Sequence, residues 1–286
     1  MSNHKIALIT DSTCDLPAEL REQYAIHVVP LSIIWGSEQL RDGVDIQPEA
    51  FYERLVADPT YPTTSQPTPQ DFLNAYENAA RQGAKEIVVI TISRAMSGTY
   101  ESAQLAAPII GIPVHLADSR ANSMSLGWQV LAAARAREAG GDAAAMIAAA
   151  DSARKTMVYV ITLDTLEYLR KGGRIGGATA FIGTLLNFKP QIWVNHETGM
   201  VEAGHRSRTR QKALQALYND FFARLDTRKK MRIAVLHNAV LPDAEALAAR
   251  VQAEFAPAEL IISIVSPVLG VHTGPRAIAL CGYTED

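Results

Sequence analysis

Cysteine is nearly absent from this chain of 286 residues. Its two cysteines, Cys14 and Cys281, lie near opposite ends, and no CxxC pair occurs, which excludes a zinc knuckle and a thioredoxin-type site. A disulfide between them is one interpretation, but two free buried thiols in a reducing cytosol are the expected state.

Long apolar runs are also missing from the sequence. No uninterrupted stretch approaches the ~20 residues that are needed to cross a bilayer. The N-terminal stretch MSNHKIALITDS contains neither the apolar core nor the small-residue cleavage site of a signal peptide. We therefore expect a soluble, cytoplasmic protein without integral membrane contact.

Charge and motif content exclude further classes of protein. The net charge of -3 provides no overall electrostatic case for binding nucleic acid. The seven histidines are scattered without an HExxH motif, so we expect no metal. GGRIGG at 172–177 is rich in glycine, but neither GxxxxGK[ST] nor GxGxxG occurs, so it indicates a nucleotide site only weakly. No cofactor is expected.

Short apolar runs alternate with amphipathic stretches through the first half of the chain, a pattern typical of α/β proteins. Strands are predicted at 5–10, 26–36, 86–93 and 112–118, and helices at 69–82, 97–107, 123–139 and 142–154. The alternation favours a doubly wound, mostly parallel sheet.

The pattern changes after residue 155. A strand at 157–162 is followed by a β-hairpin over 189–205 with HETG as its turn, and by a long helix from about Ser207 to Leu225. Because hairpins and helices mix here, we predict an α+β unit. The chain is expected to form two domains, 1–157 and 158–286.

The segment PTTSQPTPQDF at 62–72 places three hydroxyl side chains between prolines. Thr68 is predicted to cap the following helix, with Asp71 three residues on. Thr63, Thr64 and Ser65 either satisfy a turn or present their hydroxyls to an oxygen-rich ligand from a stiff loop.

A second group of hydroxyls follows a predicted strand in VVITISRAMSGTY. In open parallel sheets, ligands bind beyond the carboxyl ends of strands, where helix N-termini present free N–H groups. Ser97 is therefore a candidate for binding an anion. The alternative is that Ser97 only caps its helix.

Several short motifs occur together, in an order and spacing that resemble one protein family. They are DSTCDLP (11–17), TSQP (64–67), SGTY (97–100), YLRKGGRI (168–175), NFKPQI (187–192) and GVHTGP (270–275). The chain resembles the DegV family, the bacterial fatty-acid-binding proteins, over essentially its whole length.

That resemblance implies a two-domain protein with an extended long-chain fatty acid between its domains. The family pattern implies that Thr64 and Ser97 bind the carboxylate, with His272 nearby. Thr63 and Ser65, the neighbours of Thr64 in the hydroxyl-rich segment, are further candidates for binding it. The family pattern also implies a non-enzymatic carrier without cofactor. The partner would be a separate ATP-dependent fatty acid kinase related to dihydroxyacetone kinase, whose acyl phosphate product feeds phospholipid synthesis.

Basic residues form two clusters in the second half of the chain. The first contains Arg170, Lys171 and Arg174, and the second contains Arg206, Arg208, Arg210 and Lys212. They are either solvated surface or a docking site for the kinase, for which Arg174, Arg206, Arg208 and Arg210 are our candidates.

Two questions remain open from the sequence. Ser97 and His272 could form a hydrolase triad with Asp11 or Asp118, although no GxSxG elbow occurs. Arg276 stands where the resembling proteins usually have glycine, so it either changes the last turn, points outward or adds a cation near the carboxylate.

Candidate walls of the acyl site are Ile109, Ile110, Phe181, Ile182, Leu185, Leu186 and Ile264.

Overall fold

A computed structural model describes residues 5–181 and 188–285 of the chain. The strands of the first half are β1 (Ile6–Asp11), β2 (Ile26–Val29), β3 (Ser32–Trp35), β4 (Glu38–Arg41), β5 (Thr63–Ser65), β6 (Glu86–Thr91) and β7 (Val114–Asp118). Its helices are α1 (Ala18–Gln23), α2 (Pro48–Ala57), α3 (Pro69–Arg81), α4 (Thr99–Ala106), α5 (Ser123–Glu138) and α6 (Ala143–Lys155).

Four strands of the first half form an all-parallel sheet in the order β2-β1-β6-β7. Successive residues of a strand point to opposite sides of this sheet, and other parts of the protein cover both sides. Ala7 and Ile9 pack in the core formed with α3 and α4, whereas Leu8 packs in the core that includes α5. The predicted doubly wound sheet is confirmed.

Helix α3 begins at the predicted capping box. The Thr68 side chain accepts a hydrogen bond from the backbone N–H of Asp71, and the Asp71 carboxylate accepts one from the backbone N–H of Thr68 at 2.8 Å. These reciprocal bonds serve backbone N–H groups that have no partner four residues earlier in the helix.

A small antiparallel sheet, β4-β3-β5, was not predicted as such. The extended segment at 26–36 divides at Pro30 and Leu31 into β2, which joins the parallel sheet, and β3, which joins this smaller sheet. The hydroxyl segment is the third strand, β5, and Thr64 lies opposite Ile33. A stiff loop was the expectation, whereas pairing with β3 holds the hydroxyls in place.

The second half forms one six-stranded sheet in the order β10-β9-β8-β13-β11-β12. Its strands are β8 (Val158–Thr162), β9 (Lys189–Asn195), β10 (Met200–Ser207), β11 (Lys230–His237), β12 (Glu259–Ile264) and β13 (Ile278–Glu285). Its helices are α7 (Glu167–Lys171), α8 (Arg210–Arg224), α9 (Leu241–Phe255) and α10 (Pro267–Thr273). β11 and β12 pair in parallel, whereas the other neighbouring strands of this sheet in the described part of the chain pair antiparallel, which confirms a mixed α+β arrangement.

The hairpin and the long helix lie where the sequence predicted them. HETG connects β9 to β10, and α8 begins at Arg210 with Thr209 as its cap. Helices α2 and α10 were missed. α10 includes the residues GVHT of the motif GVHTGP, where the sequence analysis predicted no helix.

Helix α5 packs between the two large sheets and is buried almost all round. The Trp128 indole N–H donates to the carbonyl of Cys281 in β13 at 3.4 Å, so the halves share core contacts. Cys14 and Cys281 are both free and buried. The strands divide between the sheets near the predicted domain boundary at 157, but the boundary itself stays a prediction because the core is shared.

No helix in the described ranges is long and apolar enough to cross a membrane.

Candidate functional site

The two halves of the chain line a common cavity of about 500 Å³. Much of its apolar wall comes from one face of the second sheet, including Ile161, Ile192, Val201, Leu236 and Ala279. The first half contributes Leu31 and Ile92. The polar residues of the lining are Thr13, Thr64, Ser65, Gln66, Thr68, Ser97, Ser102, Asn122, Tyr159, Arg174, Asn238, His272 and Thr273.

Thr64 and His272 meet in the wall of this cavity. Thr64 Oγ1 is hydrogen-bonded to His272 Nε2 at 3.0 Å. Thr64 reaches inward because it shares the buried face of Ile33, its partner in β3. Thr63 is exposed and does not line the cavity, while Ser65 is exposed at its edge.

His272 is a neutral imidazole at physiological pH. Burial, and then the nearby charge of Arg174, lower the pKa of His272 to about 4. Its Nδ1 atom is buried and has no hydrogen-bond partner among residues 5–181 and 188–285. A Cβ atom on Gly172 would overlap the imidazole ring, so the first glycine of KGGRI is needed for close approach.

Ser97 lies in the loop between β6 and α4. Its backbone N–H donates to the carbonyl of Ser93 at 3.1 Å, and its Oγ shares a hydrogen bond with Thr99 Oγ1 at 2.8 Å. The N-cap of α4 is Gly98, so Ser97 is not the helix cap that the alternative interpretation required. The Ser97 side chain is in the cavity wall instead.

The segments TSQP and SGT pack against each other. A Cβ atom on Gly98 would overlap the side-chain amide of Gln66, so only glycine permits this approach. Gln66 Nε2 also donates to Ser102 Oγ at 3.1 Å, which ties the segment after β5 to α4. These contacts bring the two hydroxyl-rich segments, which contain Thr64 and Ser97, to one side of the cavity.

The four candidate partner-binding arginines differ in their surroundings. Arg174 lines the cavity and donates to the carbonyls of Met96 and Gly172 at 3.3 and 2.9 Å. Arg206 and Arg208 are exposed beside the ring of Phe188. Arg210 is half-buried and ion-paired with Asp243 at 2.7 Å, so its contacts are internal.

A hydrolase triad is not assembled among the described residues. A triad histidine donates its Nδ1 proton to a carboxylate, but His272 Nδ1 has no hydrogen-bond partner in the part of the chain that the structure describes. The Asp11 carboxylate accepts hydrogen bonds from Thr13 and from the backbone of Ile92. The Asp118 carboxylate accepts from the backbones of Arg94 and Arg120. In the same ranges, no group of three or more His, Cys, Asp or Glu side chains could hold a metal ion.

The chain is similar to known proteins over nearly its whole length. A protein-family model matches residues 5–285. Its description is an uncharacterised protein of the DegV family. A DegV domain-containing protein of Streptomyces coelicolor is 37% identical over 281 residues, which cover 98% of this chain and 98% of the relative. The chain belongs to the DegV family.

Solved structures of similar proteins share the fold over nearly their whole length. A fatty-acid-binding DegV family protein from Thermus thermophilus has a TM-score of 0.91 and 35% identity, covering 98% of this chain and 99% of that one. A stearic acid-binding protein from Eubacterium ventriosum has a TM-score of 0.90 and 26% identity, covering 98% of each chain.

Arg276, the departure from the usual DegV motif, points away from the cavity. Its backbone has φ of 65°, the left-handed conformation that favours glycine. Its guanidinium contacts Asp164 at 3.2 Å, and it does not line the cavity. Of the three possibilities that the sequence left open, the side chain therefore points outward.

The predicted apolar walls require correction in this DegV chain. Ile109 is exposed, Ile110 packs against the core beneath α3 and α4, and Ile264 lines a different cavity. These three were wrong because apolar residues at regular spacing more often pack in a core or remain on the surface than contact a ligand. The side chain of Phe181 and the residues Ile182, Leu185 and Leu186 lie outside the described part of the chain.

Sequence reasoning missed Asn122, Tyr159 and Asn238 in the cavity wall. Asn238 follows the buried strand β11 directly, and a polar residue in that position is a detectable signal. Asn122 and Tyr159 are not set apart by any local pattern, because only the packing of α5 and β8 turns them toward the cavity.

Proposed function

We propose that this DegV protein binds a long-chain fatty acid in the cavity between its halves. The carboxylate would lie at the side formed by Thr64, Ser97 and His272. The observation that carries the proposal is the pairing of Thr64 with His272 in the wall of a cavity that also has an apolar wall, formed by one face of the second sheet. Its volume of about 500 Å³ lies in the range of small-molecule sites.

The head-group chemistry suits a carboxylate that must remain reactive. Thr64 and Ser97 supply hydroxyl donors, and the low pKa of His272 keeps the imidazole uncharged. A fixed cation would bind the carboxylate more strongly and reduce its nucleophilicity. Arg174 lies in the wall as well, but its guanidinium donates to two backbone carbonyls.

Relatives with known ligands support this proposal. The Thermus thermophilus and Eubacterium ventriosum proteins bind fatty acid and stearic acid, respectively, and both share this fold. We infer that Thr63, which lies beside Thr64 in β5, contributes through the strand backbone and not through its exposed side chain.

The bound acid would be presented to a separate ATP-dependent kinase related to dihydroxyacetone kinase. A carboxylate oxygen would attack the γ-phosphorus of ATP, the bond from that phosphorus to the β,γ-bridging oxygen would break, and ADP would leave. The exposed guanidinium groups of Arg206 and Arg208, with Arg174, are the proposed docking surface. We place this carrier in the cytoplasm, where its two cysteines would stay reduced.

Native mass spectrometry of the freshly purified protein tests the binding proposal. We expect the native protein to be heavier than the bare chain, and we expect denaturation to release a long-chain fatty acid, on the order of one per chain. The Ser97→Ala variant should retain less acid, because it loses one hydroxyl donor to the carboxylate. A protein that is empty after purification and takes up no added palmitate would contradict the proposal.

Kinase docking is tested with Arg208→Ala, assayed for acyl phosphate formation by a fatty acid kinase of this type. Arg228→Ala is the matched control, because Arg228 is also exposed and pairs with Asp226 elsewhere on the surface. We expect the first variant alone to lower the rate at limiting carrier concentration. Equal rates for both variants and the wild type would remove Arg208 from the docking surface.

A further inference from the structure

Asn238 is a buried polar residue beside the proposed head-group site. It follows β11, is 1% exposed and lines the same cavity as His272. A buried amide must be hydrogen-bonded to offset its desolvation, so its partners indicate what the residue does.

The partners of Asn238 are the last residue of α10 and residues of the turn that follows it. Its side-chain Nδ2 donates to Thr273 Oγ1 at 2.8 Å and to the carbonyl of Gly274 at 2.6 Å. Its backbone N–H donates to the carbonyl of Ala277 at 3.0 Å, and its carbonyl accepts from the N–H of Arg276 at 2.8 Å. One residue therefore holds both arms of a single turn.

This turn has a backbone that needs such support. Gly274 and Arg276 have φ of 70° and 65°, and the second is not a glycine. Left-handed conformations of ordinary residues persist where surrounding contacts enforce them. Gly274 also lies so close to the ring of Tyr168 that a Cβ atom there would overlap it.

The turn sets the position of His272, because α10 has only seven residues and His272 is in its last turn. Thr273 Oγ1 accepts from Asn238 and donates to the carbonyl of Leu269 at 2.9 Å, so the contact is carried into the helix. The Gly274 N–H donates to Gly270 in the same helix at 2.8 Å. A shift of the turn would move the imidazole relative to Thr64.

We propose that Asn238 is a positioning residue, which holds the turn after α10 so that His272 Nε2 reaches Thr64 Oγ1. This inference rests on the proposed fatty acid site. Asn238 acts on the head group through His272, and its removal should impair acid binding only as far as His272 contributes to it.

The first test compares Asn238→Ala with Gln129→Ala in delipidated protein titrated with palmitate. Gln129 is a matched control, since its buried amide donates to the carbonyls of Ser119 and Ser125 and it does not line the cavity. Both variants should lose stability, but Asn238→Ala alone should weaken palmitate binding, by about tenfold. Equal affinity in the two variants would overturn the proposal.

A double-mutant cycle separates positioning from a structural effect. In a His272→Ala background, Asn238→Ala should change palmitate affinity by less than about twofold, because the residue through which it acts is gone. Full additivity of the two losses would show that Asn238 does not act through His272. Thr273→Val is a milder second variant, which removes one acceptor of the amide, and we expect about a threefold loss.

Nuclear magnetic resonance of ¹⁵N-labelled histidine measures the titration of His272 and so tests the positioning role of Asn238 independently of fatty acid binding. In Asn238→Ala, the pKa of His272 should rise from about 4 toward its ordinary value as water reaches the ring, whereas Gln129→Ala should leave it unchanged. An unchanged His272 titration in Asn238→Ala would reject positioning even if palmitate binds. A wild-type protein that binds no palmitate would reject the proposed function alone.

Discussion

Thr64 and His272 are 208 positions apart in the sequence, and their side chains are hydrogen-bonded at 3.0 Å. One residue is on a short strand of the first half and the other is on a short helix of the second half. The pair therefore joins the halves at the wall of the cavity. Any change in how the halves pack would therefore change the affinity for a ligand that contacts both side chains.

Thr64→Val should weaken fatty acid binding by roughly tenfold, because it removes one donor and leaves His272 Nε2 without its partner. Palmitate titration of delipidated protein measures the effect. Thr63→Val is the matched control, since Thr63 is exposed and does not line the cavity. If both valine variants bind palmitate equally well, Thr64 is not a ligand of the head group.

Gly172→Ala should displace the imidazole of His272, since the new Cβ would overlap the ring. We expect weaker palmitate binding and a changed His272 titration. Gly173→Ala should cost about 1 kcal/mol of stability because Gly173 has φ of 71°. It has open space at its Cβ and should leave palmitate binding intact. Loss of binding in both variants to the same extent would point to general unfolding of the α7 region.

Asp42→Asn should make the free energy of unfolding less dependent on pH. Burial, despite the hydrogen bond from Ser12, raises the pKa of Asp42 to about 7 in the folded protein, against about 3.9 in the unfolded chain. The folded state therefore binds this proton more tightly, and the stability it contributes is full below about pH 3.9 and is lost as pH rises through 7.

Urea unfolding at pH 5 and pH 8 measures this difference. Between these pH values the wild type should lose about 2 kcal/mol more than Asp42→Asn. Asp45→Asn is the control in the same segment, because Arg41 lowers the pKa of exposed Asp45 to about 2. Asp45 is ionised in both states over this range, so its replacement should not change the pH dependence. Parallel pH profiles for Asp42→Asn and the wild type would contradict the raised pKa.

Arg276→Gly and Arg276→Ala separate the backbone of the last turn from its side chain. Both lose the contact with Asp164, which is partly exposed and contributes little. Only glycine relieves the left-handed conformation, so Arg276→Gly should be more stable than Arg276→Ala by about 1 kcal/mol. Thermal unfolding checks the order, and the reverse order would show that the turn is not strained.

Palmitate affinity should be the same in the two Arg276 variants and the wild type, because the guanidinium points to Asp164. A marked loss of affinity in both variants would place the Arg276 charge near the carboxylate after all.

Local features of the fold could be read directly from the residues. The apolar run at β1 is buried on both faces, Thr68 and Asp71 form the capping box of α3, and HETG turns the hairpin. Each depends on residues that are close together in sequence, so periodicity and capping chemistry are sufficient to predict them. The motifs containing Thr64, Ser97 and His272 were likewise visible as candidates.

Only the tertiary structure decided which of these candidates meet. Three contacts join segments that are distant in sequence: Gln66 with Gly98, Thr64 with His272, and the hydrogen bond of Asn238 to the turn after α10. The same packing left Ile109 exposed. Residue type and spacing determine a strand or a cap, but which side chains share a cavity depends on how two sheets pack around α5, and that packing is a property of the whole core.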